Sequence, residues 1–105
     1  MKTITVDELK AKINAGEPLH LIDVREPHEF AEGYIAGGKL VPLGKIQTMQ
    51  VEDLDGLEDS EVILYCRSGR RSLMACMVLD SLGFTNTVNV QGGILDWQEK
   101  YEVLK

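Results

Sequence analysis

The 105-residue sequence predicts a small α/β fold in which a mainly parallel central sheet is flanked by helices on both faces. Three observations predict it. Short apolar runs without helical period recur along the chain, around residues 19–24, 40–41, 62–65 and 88–90. Segments with helical spacing separate them, and glycine or proline stands at most of the junctions. Strands joined through helices at such short separations pair in parallel, and in sheets of that kind ligands bind beyond the carboxyl ends of the strands.

The first helix is announced by Thr5 and Glu8, at capping-box spacing, and by Val6, Leu9 and Ile13 repeating until Gly16. Leu19, Leu21, Ile22 and Val24 form a buried strand ending near Asp23 to Arg25. Glu26 and Pro27 start a short helix that runs through Phe30 to Glu32 and closes at Gly33. Leu40 and Val41, ahead of Pro42, read as a brief strand, and residues 44–54 as an irregular helical region with Ile46 and Met49 facing inward. A polar turn over residues 58–61 leads into the strand Val62 to Tyr65. The next helix starts near Arg71 and is strongly apolar, with Leu73, Met74, Cys76, Met77 and Leu79 to Leu82 before Gly83 stops it. Val88 and Val90 mark one more strand, Gly92 and Gly93 a turn, and Ile94, Leu95 and Trp97 a final helix.

Residues 1–105 make one domain of ordinary globular composition, 44% hydrophobic and 27% charged, so one core must carry the function. The N-terminal MKTITVDELK has neither the apolar core of a secretion signal nor a run long enough to span a bilayer, which reads as a cytoplasmic protein without a membrane partner. Seventeen acidic against eleven basic residues leave a net charge of −6, which argues against a nucleic-acid surface. Cys66 at a strand end and Cys76 inside the following helix are expected as reduced thiols. His20 and His28 have no second ligand at zinc spacing, so no metal is expected. Glu52, Asp53, Asp55, Glu58, Asp59 and Glu61 read as a solvated acidic face.

Against that acidic background the stretch YCRSGRRS puts three cationic residues within five positions after a cysteine. A strand, a short loop containing Gly69 and a helix starting near Arg71 turn several backbone N–H groups, together with the positive end of the helix dipole, toward one point. That point is an anion site. A cysteine sulfur at its centre is held as thiolate, and in such settings thiol pKa values fall to roughly 3.5–7.5. Glycine, serine and three arginines do not build a core, whereas Cys76, among Met74, Met77 and Leu79, reads as a small buried hydrophobe. Asp23 and Arg25, ending a neighbouring strand, read as a buried pair supporting the site. Trp97 reads as a core cap.

The loop resembles the active-site loop of the rhodanese family, cysteine, two variable residues, glycine, one variable residue, arginine, carried here by Cys66, Gly69 and Arg71. Residues 21–44 are similar to the family's N-terminal signature, with Asp23, Arg25, Glu29, Phe30 and Gly33 in place, and Gly92, Gly93 and Trp97 extend the likeness over nearly the whole chain. Tyr34, where the family usually has histidine, and Ala36, where it often has proline, depart from it in a structural turn. The resemblance implies a small rhodanese-like domain acting as a sulfurtransferase. Cys66 would be the nucleophile, taking sulfur from thiosulfate or a persulfide donor and passing it to cyanide or a thiol acceptor, a protein persulfide partner included. Arg67, Ser68 and Arg70 would form the rim that selects an anionic sulfur donor, with Gly69 letting the backbone curl inward. Arg71 suits either an anion contact or a salt bridge to the scaffold. No cofactor is implied.

Three rivals are weighed by the residues themselves. A cysteine-dependent phosphatase or arsenate reductase of related fold resembles cysteine, five residues, arginine; here four residues separate Cys66 from Arg71, Tyr65 stands where such enzymes have histidine, and no acid is placed to protonate a leaving alkoxide. A non-catalytic rhodanese-like binding module typically lacks the cysteine. A redox switch between Cys66 and Cys76 lacks the Cys-x-x-Cys spacing of a resolving pair.

Overall fold

The computed structural model describes all 105 residues. Five parallel strands, β1 (Lys2–Ile4), β2 (Leu21–Asp23), β3 (Lys39–Leu40), β4 (Val62–Tyr65) and β5 (Thr87–Val90), form one sheet in the order β1-β5-β4-β2-β3. The helices between them are α1 (Val6–Asn14), α2 (Pro27–Glu32), α3 (Leu43–Gln47), α4 (Arg70–Ser81) and α5 (Gly93–Lys100), with a 3-10 turn at Glu52–Leu54. No helix is long and apolar enough to cross a membrane.

Because successive strand residues face opposite sides, β4 feeds two cores. Val62, Leu64 and then Cys66 join Ile46, Ala75, Cys76 and Leu79 on the face covered by α3 and α4. Ile63 and Tyr65 join Leu9, Ile94 and Trp97 on the face covered by α1 and α5. A sheet covered on both sides buries its central strands: β2, β4 and β5 are buried at every position, and their polar residues Asp23, Thr87 and Asn89 are each hydrogen-bonded. The α1 capping box forms as its spacing predicts, with Thr5 accepting from the Glu8 N–H and Glu8 from the Thr5 N–H. Trp97 is buried and donates its indole N–H to the Glu102 carbonyl at 3.0 Å.

Three expectations change. Lys2–Ile4, to which the sequence reading assigns no element, is a strand: the three residues pair with Val88 to Val90 of β5. Met49, expected inward three positions after Ile46, is exposed. Its φ of +60° turns the chain as α3 ends, with the Gln50 N–H donating to the Lys45 carbonyl at 2.8 Å, so the helical register stops before it reaches that residue. Met74 and Met77 do not share a core with Cys76. They point outward, with Leu73, from the face of α4 opposite to Ala75, Cys76 and Leu79.

Candidate active site

Cys66 follows the last residue of β4, and Gly69 is the N-cap of α4, so the loop between them is three peptide units long. Closing a strand-to-helix turn over that distance requires a left-handed residue, and Gly69 takes it with φ +103°. Its N–H then points back and donates to Cys66 Sγ at 3.1 Å. Cys66, 1% exposed, has its sulfur at the amino end of a twelve-residue helix. Burial pushes the Cys66 thiol pKa up, but the Ser72 hydroxyl and the backbone N–H groups of Ser72, Gly69 and Ser68 outweigh it and hold the thiol below its ordinary value. Burial pushes Cys76 up to about 12, because the Thr87 hydroxyl is the one donor that counters it and no backbone N–H does.

What keeps the N–H groups turned inward is a second loop. The carbonyls of Cys66 and Arg67 point away from the sulfur and accept from Ile94 N–H at 2.9 Å and Leu95 N–H at 3.1 Å, the first free donors of α5. A side chain at Gly93 would abolish this contact: a Cβ there would lie 2.4 Å from the Cys66 oxygen and 2.6 Å from the Arg67 oxygen. One helix start thus anchors the loop by its carbonyls while the other presents donors to the sulfur.

Asn89, buried in β5, completes the cradle and was not singled out by sequence reasoning. Its amide donates to the Gly69 carbonyl at 3.3 Å and its oxygen accepts the Ser72 hydroxyl at 2.5 Å; Ser72 Oγ also lies 3.5 Å from the sulfur. A hydroxyl has one proton, so the hydrogen bond to Asn89 and one to the sulfur are alternatives. The signal available in the sequence was a lone asparagine between two valines of an apolar strand, because a buried amide needs partners.

The arginines divide into two kinds. Arg25 makes a bidentate pair with Asp23, with the closest contact 2.7 Å, and donates to the Gly33 carbonyl at 2.7 Å; both side chains are buried. Arg71 meets Glu29 through two parallel bonds of 2.7 and 2.9 Å, and this guanidinium holds the Glu29 carboxyl down to about 2. Arg71 thus makes a salt bridge to the scaffold, one of the two contacts its position suits. Together these contacts clamp α2 between the end of β2 and the start of α4. Arg67, Ser68 and Arg70, by contrast, are exposed on the rim, and neither Arg67 nor Arg70 forms an ion pair. Beside that rim a cleft of about 270 Å³ opens between α2 and α5, lined by Arg25, Glu29, Glu32 and Arg67 among others. His20 and His28 lie exposed, the first just before β2 and the second in α2. Of the acidic run, Glu61 is half-buried against Lys12 and the other carboxylates are largely at the surface.

The family model for the rhodanese-like domain matches residues 5–100. A Bacillus subtilis relative named "Putative sulfurtransferase YtwF" is 46% identical over 98 residues, 93% of this chain and 91% of the relative. A human thiosulfate:glutathione sulfurtransferase is 30% identical over 109 aligned positions, covering 93% of this chain and 94% of that protein. The crystal structure of a rhodanese-like domain protein from Staphylococcus aureus superposes over the full length of both chains with a TM-score of 0.84 at 34% identity. The five-stranded parallel sheet, the cysteine cradle at its carboxyl edge and these likenesses converge, and the chain belongs to the rhodanese family, with sulfur transfer as the function that membership supports.

Proposed function

We propose that the protein is a sulfurtransferase that works through a persulfide on Cys66, and that it accepts thiosulfate as donor. The Cys66 thiolate attacks the outer sulfur of thiosulfate; the S–S bond of the donor breaks, its electron pair leaves with sulfite, and a new S–S bond joins the transferred sulfur to Sγ. An acceptor nucleophile, cyanide or a thiolate, then attacks that outer sulfur and releases the Cys66 thiolate. No net electrons are required from outside the cycle.

The observation that carries this reading is the lowered thiol of a nearly buried cysteine, held by the Gly69 N–H at 3.1 Å and the Ser72 hydroxyl despite the cost of burial. The same donors are suited to the terminal sulfur anion of the persulfide, a charge that water would otherwise solvate. Arg67 and Arg70, unpaired on the rim, would gather an anionic donor, with Ser68 between them, while Arg71, Arg25 and Asp23 act as braces. A thiosulfate donor and a thiol acceptor are also in the name of the human relative.

The test is a pair of substitutions assayed for thiocyanate formation from thiosulfate and cyanide. Cys66→Ser is expected to abolish activity and Cys76→Ser to retain it. Retention in Cys66→Ser would overturn the assignment.

A further inference from the structure

Resting on the sulfur-transfer reading, the structure points to a place where an acceptor larger than cyanide docks. We propose that the outer face of α4 is a docking strip for an acidic, apolar segment of a peptide or protein thiol, which it leads to Cys66.

The inner face of α4 is accounted for by Ser72, Ala75, Cys76 and Leu79, all fully buried. The outer face of such a helix is ordinarily polar. Here Leu73, Met74 and Met77 stand on it 37%, 48% and 61% exposed, at the third, fourth and seventh positions after Arg70, so the four side chains share one side of the helix. Exposed apolar side chains in a continuous strip mark a contact surface, and methionine, unbranched and polarisable, suits one that must adapt to its occupant. Leucine and methionine contribute nothing to holding thiosulfate.

Charge says what kind of occupant fits. The chain carries a net charge of −6, Arg71 is tied to Glu29 and Arg25 to Asp23. The two cations left unpaired around the cysteine are Arg67, on the loop facing the cleft between α2 and α5, and Arg70, which stands at the head of the apolar strip. From Arg70 to Met77 the helix rises about 10 Å, which an extended peptide covers in about three residues. The complementary occupant is therefore a short segment with a carboxylate toward Arg70, apolar side chains along Leu73, Met74 and Met77, and its thiol beyond Arg70 at the loop. Its thiolate attacks the outer sulfur of the Cys66 persulfide, the S–S bond to Sγ breaks, and Cys66 leaves as thiolate while the acceptor leaves as persulfide.

The test uses the full-length protein loaded with sulfur from thiosulfate and two synthetic peptide thiols of equal length ending in cysteine. One alternates glutamate and leucine before the cysteine; the other has serine and glycine there. Transfer is followed by the mass of each peptide, and discharge by cyanide is timed in parallel. The acidic, apolar peptide is expected to take sulfur about tenfold faster, equivalent to about 1.4 kcal/mol of added binding to the transfer state. Met77→Glu removes most of that advantage, Met74→Gln part of it, and both leave the cyanide rate and thermal midpoint near wild type. Equal rates for the two peptides, or an advantage that survives Met77→Glu, overturn the docking strip. So does concentration-dependent dimerisation abolished by Met77→Glu, which assigns the strip to a second copy. Failure to load or to discharge to cyanide is a different result, and it removes the sulfur-transfer reading on which the strip rests.

Discussion

Replacing Gly93 by alanine is the perturbation for which the structure supplies the most complete arithmetic. The residue has φ +56°, and an L side chain in that region costs about 1–2 kcal/mol. The added methyl would also sit 2.4 Å from the Cys66 oxygen, 2.6 Å from the Arg67 oxygen and 2.7 Å from the Arg67 carbonyl carbon. These are backbone atoms and cannot swing aside as a side chain would. The loop and α5 must separate, which sacrifices the Ile94 and Leu95 N–H bonds to the loop, each contributing about 0.5–1.5 kcal/mol. The sum is about 2–5 kcal/mol, against the 5–15 kcal/mol typical of a whole domain. In a chain of this size that lowers the thermal midpoint on the order of 10–30 °C. Since the same bonds keep the loop N–H groups turned toward Sγ, alkylation of Cys66 at neutral pH slows as well. Gly44→Ala is the control, because its Cβ meets nothing within 4 Å and its position in α3 predicts a gain of about 0.4–1 kcal/mol. Calorimetry and iodoacetamide kinetics check both. A Gly93→Ala protein with wild-type midpoint and wild-type Cys66 reactivity would refute the claim that α5 holds the loop.

Other outcomes follow from the same contacts. Alkylation of Cys66 followed against pH should show a midpoint below the ordinary thiol value of 9.0, and Ser72→Ala should move it upward; an unchanged midpoint would remove Ser72 from the cradle. Cys76, with its thiol near 12, should stay unlabelled in the folded protein at neutral pH, as peptide mapping will report. Glu29 is depressed in the fold from 4.5 to about 2, so its pairing with Arg71 stabilises the fold above pH 4.5 and that contribution disappears as pH falls from 4.5 toward 2. Glu29→Gln should therefore lower the thermal midpoint at pH 6 and make no difference near pH 2; a constant difference across the range would contradict the pairing. Arg25→Ala leaves the buried Asp23 carboxylate without its partner and should cost about 3–5 kcal/mol in denaturant unfolding, whereas a loss under 1 kcal/mol would mean that water replaces the guanidinium.

The order of strands and helices was legible because β2 and β4, buried on both faces, lie in near-continuous apolar runs and the alternating valines of β5 mark a further strand. The loop was legible because glycine and arginines beside a cysteine contradict a core environment. Lys2–Ile4 was not, since only Ile4 of its three residues is buried and the strand exists through its pairing with β5, a contact more than eighty residues away in sequence. Met49 misled because a helical period extends correctly only while the helix does. The pairing of Arg71 with Glu29, 42 residues apart, was not legible because spacing along the chain does not encode it. Asn89 was hidden for the same reason: its partners, Ser72 and Gly69, are contributed by a different element of the sheet and its helix. The outward side of α4 escaped notice because an apolar helix reads as buried all round until its neighbours are known.

In the proposed cycle Cys66 carries the sulfur. Reduced protein mixed with thiosulfate and weighed intact, then digested and mapped, tests it most directly. One added sulfur is expected on the peptide that contains residue 66, removed by cyanide with release of thiocyanate. A protein that gains no sulfur on Cys66, and that hydrolyses an aryl phosphate instead, would contradict it and put phosphoryl transfer in its place.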